Sequence, residues 1–201
     1  MLALALWAVF GFTAVVARVL IHLRRTGTTG VRGISGRVGS SEWFGGVAFV
    51  AAIVLGVSAP MLDLADLVDP IAALDGIAAH VAGLALYGFG LAGVLWSQQA
   101  LGRSWRIGVD ESERTALVTE GPFELVRNPI YTAMTAVLLG LALLVPSIVS
   151  LAAFALLVIA LELQTRLAEE PYLLSSQGEP YADYARRVGR FLPGIGTLRD
   201  R

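Results

Sequence analysis

Residues 121–170 read GPFELVRNPIYTAMTAVLLGLALLVPSIVSLAAFALLVIALELQTRLAEE: two apolar runs joined at Pro146-Ser147, with polar residues at both outer ends. Each run, Ile130 to Val145 and Ser147 to Leu163, is shorter than the roughly 20 residues that cross a hydrocarbon core of ~30 Å. They therefore predict a tight helical hairpin, tilted, thin or partly buried in protein. Its first arm begins at Asn128-Pro129, where proline suits the opening turn of a helix and the free amides favour an anionic group. Beyond the second arm, Glu162, Arg166, Glu169 and Glu170 fall three and four residues apart, along one side of a continuing helix. Arg166 can pair there with Glu162 or with Glu170. A short hairpin brings both polar ends to one membrane face, and ionisable groups are costly there without a function.

Outward from the hairpin, composition sets the class. The 201 residues are 56% hydrophobic and 15% charged, with mean hydropathy +0.70, which is more apolar than an ordinary soluble domain. An all-α polytopic membrane protein follows. There is no cysteine, so disulfides and thiolate chemistry are excluded, and two histidines give no basis for a metal site. The net charge of -1 argues against a nucleic-acid partner, and no obligate protein partner is implied.

Leu2 to Leu23 and Ile71 to Trp96 are long enough to cross a bilayer, and Trp43 to Pro60 is marginal but sufficient. With the hairpin, about five transmembrane helices result. The first run lacks a basic leader and carries Arg18 near its inner end, so it is expected to stay in the mature chain. Arg24, Arg25, Arg32 and Arg37 follow the first run, whereas Met61 to Pro70 carries Asp63, Asp66 and Asp69 and no basic residue. The first loop is then cytoplasmic, and Arg103, Arg106, Arg114 and Arg127 place the loop before the hairpin beside it. Arg186, Arg187 and Arg190 put the C-terminus on that side too, leaving the N-terminus outside, in a multi-pass protein of a bacterial inner membrane. The aspartate spacing in MLDLADLVD suits a short interfacial helix.

Other features read as structural. Gly88, Gly90 and Gly93 match G-x-G-x-x-G but lie within an apolar span, where small residues let helices approach closely. The glycines at every third position from Gly27 to Gly39 form a flexible loop, and His80, near the middle of the third span, is a packed, hydrogen-bonded side chain. The segment from Gln98 to Gly121 is too polar to cross. It carries Trp105 as an interfacial anchor, acidic Asp110, Glu111, Glu113 and Glu120, and three arginines. Function is expected between Gln98 and Pro193, which divides the chain into spans 1–97 and a core 98–201.

LVTEGPFELVRNPIYTAM, followed by EEPYLLSSQGEPYADYARRVGRFLPGIG, resembles the isoprenylcysteine carboxyl methyltransferase and phospholipid methyltransferase superfamily of membrane enzymes. The resemblance runs from about Gln98 to Ile195. It implies a cytosolic pocket for S-adenosylmethionine and a lipophilic or prenylated substrate entering from the membrane lipids. By position, Leu117, Val118, Asn128, Pro129 and Tyr131 would line that pocket, Glu169 and Glu170 would complete it, and Arg166 would sit beside the reacting group. Asn128 stands where the family usually has histidine and Ala133 where it has glycine. Asparagine still donates and accepts hydrogen bonds but carries no proton charge.

Arg166 and Glu170 are the expected catalytic pair. Transfer from a sulfonium is an in-line displacement, in which holding the reactants in line contributes ~7 to 11 kcal/mol. A carboxylate acceptor is ionised at pH 7 and needs orientation by an arginine, not a base. An amine must first lose a proton, a task for Glu170. The resemblance favours O-methylation of a carboxylate. An N-methyltransferase of phospholipids, an NADPH-dependent sterol-type reductase and a non-catalytic membrane binding protein are the alternatives.

Overall fold

A computed structural model describes residues 1–31, 33–34, 36–108 and 116–198. Arg32, Asp110, Glu111, Glu113 and Arg114 lie outside the described residues. The described part is helical, with isolated bridges and no strands.

Four helices are long and apolar enough to cross a membrane: α1 (Leu2–Thr26), α2 (Ser41–Leu64), α3 (Ile77–Leu101, extended to Ser104 by a 3-10 turn) and α6 (Ile148–Gln177). Between them come a single turn, α4 (Pro122–Leu125), and the shorter apolar helix α5 (Pro129–Leu144). After α6 comes α7 (Glu179–Arg187). The expected hairpin is therefore α5 and the first half of α6, turning at Ser147, whose hydroxyl accepts from Ser150 N. α6 runs well past Leu163, so its polar end is a continuation of the span.

Two layers of packing hold the helices together. α3 lies on α5, and α2 lies on α6. The first seam is made of glycine: a Cβ added at Gly83 would meet Gly140 O at 2.8 Å, and one added at Gly90 would meet Ala133 O at 2.8 Å. The close-packing role expected for the GFGLAG stretch is met at Gly90; Gly88 faces open space. Tyr87 ties α3 to α1, its hydroxyl donating to Leu6 O at 2.8 Å.

Two long helices carry π-helical segments, Gly11–Ala17 in α1 and Thr165–Glu169 in α6. A π turn widens the helix by one residue, shifts the side chains beyond it around the axis and loosens the carbonyl ladder. Gln98 uses the first of these, its Nε2 donating to Ala14 O at 2.8 Å.

Two local expectations are corrected. Met61–Leu64 is the last turn of α2 and not a separate interfacial helix; the chain then turns through Asp66 at φ 54°. The third span begins at Ile77, because Asp69, Pro70, Asp75 and Gly76 break the apolar run that seemed to start at Ile71. His80 thus lies in the first turns of α3, not mid-span, half-exposed, with Nε2 3.5 Å from Asp75 Oδ1.

The connections group at two ends. Ile71 N donates to Pro146 O at 2.6 Å, bringing the aspartate-rich connection to the hairpin turn. At the opposite end Ile107 N donates to Gly30 O at 2.8 Å, joining the first loop to the loop after α3.

Candidate active site

The site is built where three separate segments meet: the stretch entering α5, the polar end of α6, and the tail after α7. The chain at Val126–Asn128 runs beside Gly189–Arg190. Arg127 N donates to Gly189 O at 2.8 Å and Asn128 N to Arg190 O at 3.1 Å. Gly189 permits the tail to fold back on itself, since an added Cβ would lie 2.0 Å from Leu192 O and 2.7 Å from Ile195 O. Thr132 adds a bond from its hydroxyl to Phe191 O at 2.8 Å.

Arg127 is the hub. Its side chain is 2% exposed. Nη1 donates to Ala185 O at 2.8 Å and Val188 O at 2.7 Å, capping the C-terminal carbonyls of α7. Nη2 donates to Gly196 O at 3.1 Å and to Glu170 Oε1 at 2.5 Å. Arg190 approaches the same carboxylate in a fork, Nε to Oε1 at 2.8 Å and Nη2 to Oε2 at 2.9 Å, the geometry in which arginine binds carboxylates most strongly. That carboxylate holds the Arg190 guanidinium above its ordinary range.

Beside this triad, the Tyr131 hydroxyl donates to the Glu169 carboxylate. Arg106 exerts a favourable charge interaction on Glu169, and its guanidinium lies 5.2 Å from the Tyr172 ring centre. Asn128 Nδ2 donates to Arg190 O at 3.2 Å, so its side chain helps lock the tail. Pro129 is buried at the start of α5. Leu117 packs on the buried pair Tyr181 and Tyr184. Burial pushes the Tyr181 hydroxyl up to about 12 and raises that of Tyr184, which donates to Phe123 O at 2.6 Å. Leu117 and Val118, with Trp96, Ala100 and Thr119–Pro122, line a cleft of about 450 Å³.

The structure thus gathers Asn128, Tyr131, Glu169 and Glu170 at one junction, with Leu117 against its tyrosine pair. It does not form the Arg166–Glu170 pair. Arg166, 58% exposed, pairs with Glu162 at 2.5 Å, and Glu170 is taken by the two arginines. The reason is the π turn at Thr165–Glu169, which breaks the i,i+4 register between the two positions. The residues still belong to one chain of charges, because Arg190 Nη1 comes within 3.9 Å of Glu162. Arg127 and Arg190 are what sequence reasoning missed. Each counted only as a basic residue orienting a loop, although both lie in the stretches that carried the resemblance.

Fold and junction together define an integral membrane protein whose charged centre is assembled from distant segments at one end of a helical bundle. Residues 78–179, about half of the chain, match the phospholipid methyltransferase family, and the chain belongs to that family of membrane methyltransferases. Among curated proteins it is 34% identical over 116 residues to the nickel-cobalt-cadmium resistance protein NccN of Alcaligenes xylosoxydans xylosoxydans, covering 57% of this chain and 53% of that one. It is 32% identical over 111 residues to the cobalt-zinc-cadmium resistance protein CzcN of Cupriavidus metallidurans, covering 55% and 50%. The chain spans about half the length of these relatives. Among solved structures, the eukaryotic intramembrane Ras methyltransferase ICMT (isoprenylcysteine carboxyl methyltransferase) superposes with a TM-score of 0.64 at 20% identity. That match covers 97% of this chain and 66% of the other, a likeness of fold.

Proposed function

We propose that this protein transfers a methyl group from S-adenosylmethionine to a lipophilic acceptor, a carboxylate, at the cytosolic face of a bacterial inner membrane. The observation that carries it is the junction itself: the start of α5 is tied to Glu169 through Tyr131 and to Glu170 through Arg127. The site residues suit the cofactor. Glu169 offers a negative group to a sulfonium and an ammonium, Asn128 and Pro129 stand at a helix start that favours a carboxylate, and the cleft at Leu117 and Val118 is of ligand size.

When bound, S-adenosylmethionine supplies an electrophilic methyl on a sulfonium. This chain's residues hold the geometry. Glu170, its oxygens engaged by Arg127 and Arg190, fixes the tail against α5 and so shapes the pocket wall. Arg166 stands more than half exposed on the same charge chain, free to turn its guanidinium from Glu162 to an acceptor carboxylate. No metal is assigned to the site, and the metal resistance named for the two relatives is not carried to this chain. Spans within 1–97 form the acceptor side, and 98–201 is the methyl-transfer core.

The family match favours a second acceptor class, a phospholipid amine. In that case a carboxylate at the junction must take a proton before transfer, and Arg166 has no acceptor to orient. The two are separated by supplying methyl-labelled S-adenosylmethionine to membranes containing the protein. A carboxylate acceptor gives a lipid-soluble product whose label mild base releases as volatile methanol; with an amine the label stays non-volatile, since the N–methyl bond survives base. Absence of any lipid-soluble label would oppose both. Sidedness is checked with single cysteines introduced at Asp66 and at Ile148, 70% exposed beside the hairpin turn, in this cysteine-free chain. Labelling from outside intact cells is expected, and labelling only after lysis would reverse the orientation.

A further inference from the structure

Far from Glu169 in sequence, α1 carries a buried charge that the site has not yet used. Arg18 is 6% exposed within a span, a costly location for a guanidinium. Its Nη2 donates to Gly102 O at 2.5 Å and its guanidinium lies 5.0 Å from the Trp105 ring centre, within the range of a cation–π contact. One turn further along α1, the His22 ring sits 5.6 Å from the same indole. Trp105 is itself 3% exposed, so it is a buried wedge and not the interfacial anchor its residue type suggests. On the other side, Ile107 N donates to Gly30 O, and Gly30 leaves no room for a side chain, an added Cβ lying 2.9 Å from His22 Cδ2 and 3.2 Å from Trp105.

Residues 102–107 are therefore held at three points by α1 and the loop after it: Gly102 through Arg18, Trp105 between Arg18 and His22, and Ile107 through Gly30. Arg106 lies between the last two anchors, and it is the residue whose guanidinium covers Tyr172 and whose charge acts on Glu169. We propose that Arg18 is a positioning residue for the methyl-transfer site, setting Arg106 against Glu169 and Tyr172 through its grip on Gly102 and Trp105. This rests on the proposed cofactor site. It gives the first span a part in cofactor affinity through residues 102–107. Arg18 needs a planar, delocalised cation for this, because one face lies on the indole while one edge donates to a carbonyl.

The test is a double-mutant cycle on the full chain in detergent, read by S-adenosylhomocysteine calorimetry and by amide hydrogen exchange. Arg18→Gln weakens S-adenosylhomocysteine by about tenfold and speeds exchange across 102–108 and at 170–174. In an Arg106→Gln background, which is itself weakened, Arg18→Gln adds nothing, since its effect passes through Arg106. Arg18→Lys recovers part of the loss at most. Additive losses, or unchanged exchange at 102–108 in a folded Arg18→Gln protein, overturn the proposal. If Arg18→Gln fails to fold, Trp105→Leu carries the same cycle with the same expected and contrary results. If the unaltered protein takes no S-adenosylhomocysteine, the proposed function falls. Exchange alone then decides Arg18: acceleration at both segments upholds its positioning role and unchanged exchange at either removes it.

Discussion

The α3–α5 seam and the α5–α6–tail junction lie along the same short helix and are held by opposite means. At the seam, Gly83, Gly90 and Gly140 bring two backbones into contact, with no charge involved. At the junction, Arg127, Arg190 and Glu170 hold three segments by charge and hydrogen bonds, largely out of solvent. The seam depends on size and the junction on charge. Added volume should therefore be severe at the first, and loss of charge at constant shape severe at the second. The asymmetry is what makes the junction the candidate site, since packing alone would have been served by more small residues.

The largest effect is expected at Glu170. Glu170→Gln keeps the volume but leaves the buried Arg127 and the partly buried Arg190 without their carboxylate, and breaking a buried pair costs ~3 to 5 kcal/mol. A fall of melting temperature in detergent, with faster proteolysis of the tail after Gln177, is the measurement. An unchanged melting temperature would mean that the junction is not holding the tail. Next is the seam. Gly140→Val places a side chain where Gly83 O and Tyr87 already stand, and overpacking of this kind costs ~1 to 3 kcal/mol. Gly88→Val, facing open space on the partner helix α3, should be silent. Equal losses at both positions would count against the seam.

A smaller stability effect, with a sharper functional one, is expected at Tyr131. Tyr131→Phe removes the hydroxyl bonded to Glu169 and should cost ~1 kcal/mol of stability, while weakening S-adenosylhomocysteine measurably. The smallest change in stability belongs to Arg166→Ala. Its exposed pair with Glu162 is worth ~0 to 1 kcal/mol, yet loss of an acceptor-orienting cation should lower turnover by ~100-fold with cofactor affinity retained. Near-normal turnover in this variant would remove Arg166 from the acceptor site. Because Arg166 and Glu170 are joined only through Glu162 and Arg190, Arg166→Ala should leave the melting temperature of the tail region unchanged.

Much of the fold was legible because length and apolarity are counted directly along the chain: the spans, the hairpin turn at Pro146-Ser147 and the helix start at Asn128-Pro129 all stand where those patterns place them. The start of α3 did not, since Ile71–Leu74 are apolar but sit in a turn bounded by Pro70 and Gly76. At the junction, Asn128, Tyr131, Glu169 and Glu170 were legible as residues that could meet, and the pairs they form were not. Arg127 meets a glutamate 43 positions away, and Arg190 meets the same glutamate 20 positions back. Nothing in local spacing signals either. The π turn that separates Arg166 from Glu170 leaves no mark in residue type, and the i,i+4 rule assumes a regular helix. Trp105 was misjudged for a related reason. An indole at a membrane edge usually lies at the interface, but a buried Arg18 from another span draws this one inward.

The claim that the junction is a cofactor site is tested most directly by titrating S-adenosylhomocysteine into the detergent-purified protein in a calorimeter, alongside Glu169→Gln. Glu169 is the carboxylate that Tyr131 holds, and its neutral counterpart keeps the shape while removing the charge offered to the ligand. Saturable binding at one site per chain, lost or greatly weakened in Glu169→Gln while the melting temperature without ligand changes little, is the expected result. No heat of binding in the unaltered protein, or equal affinity in both, would contradict it.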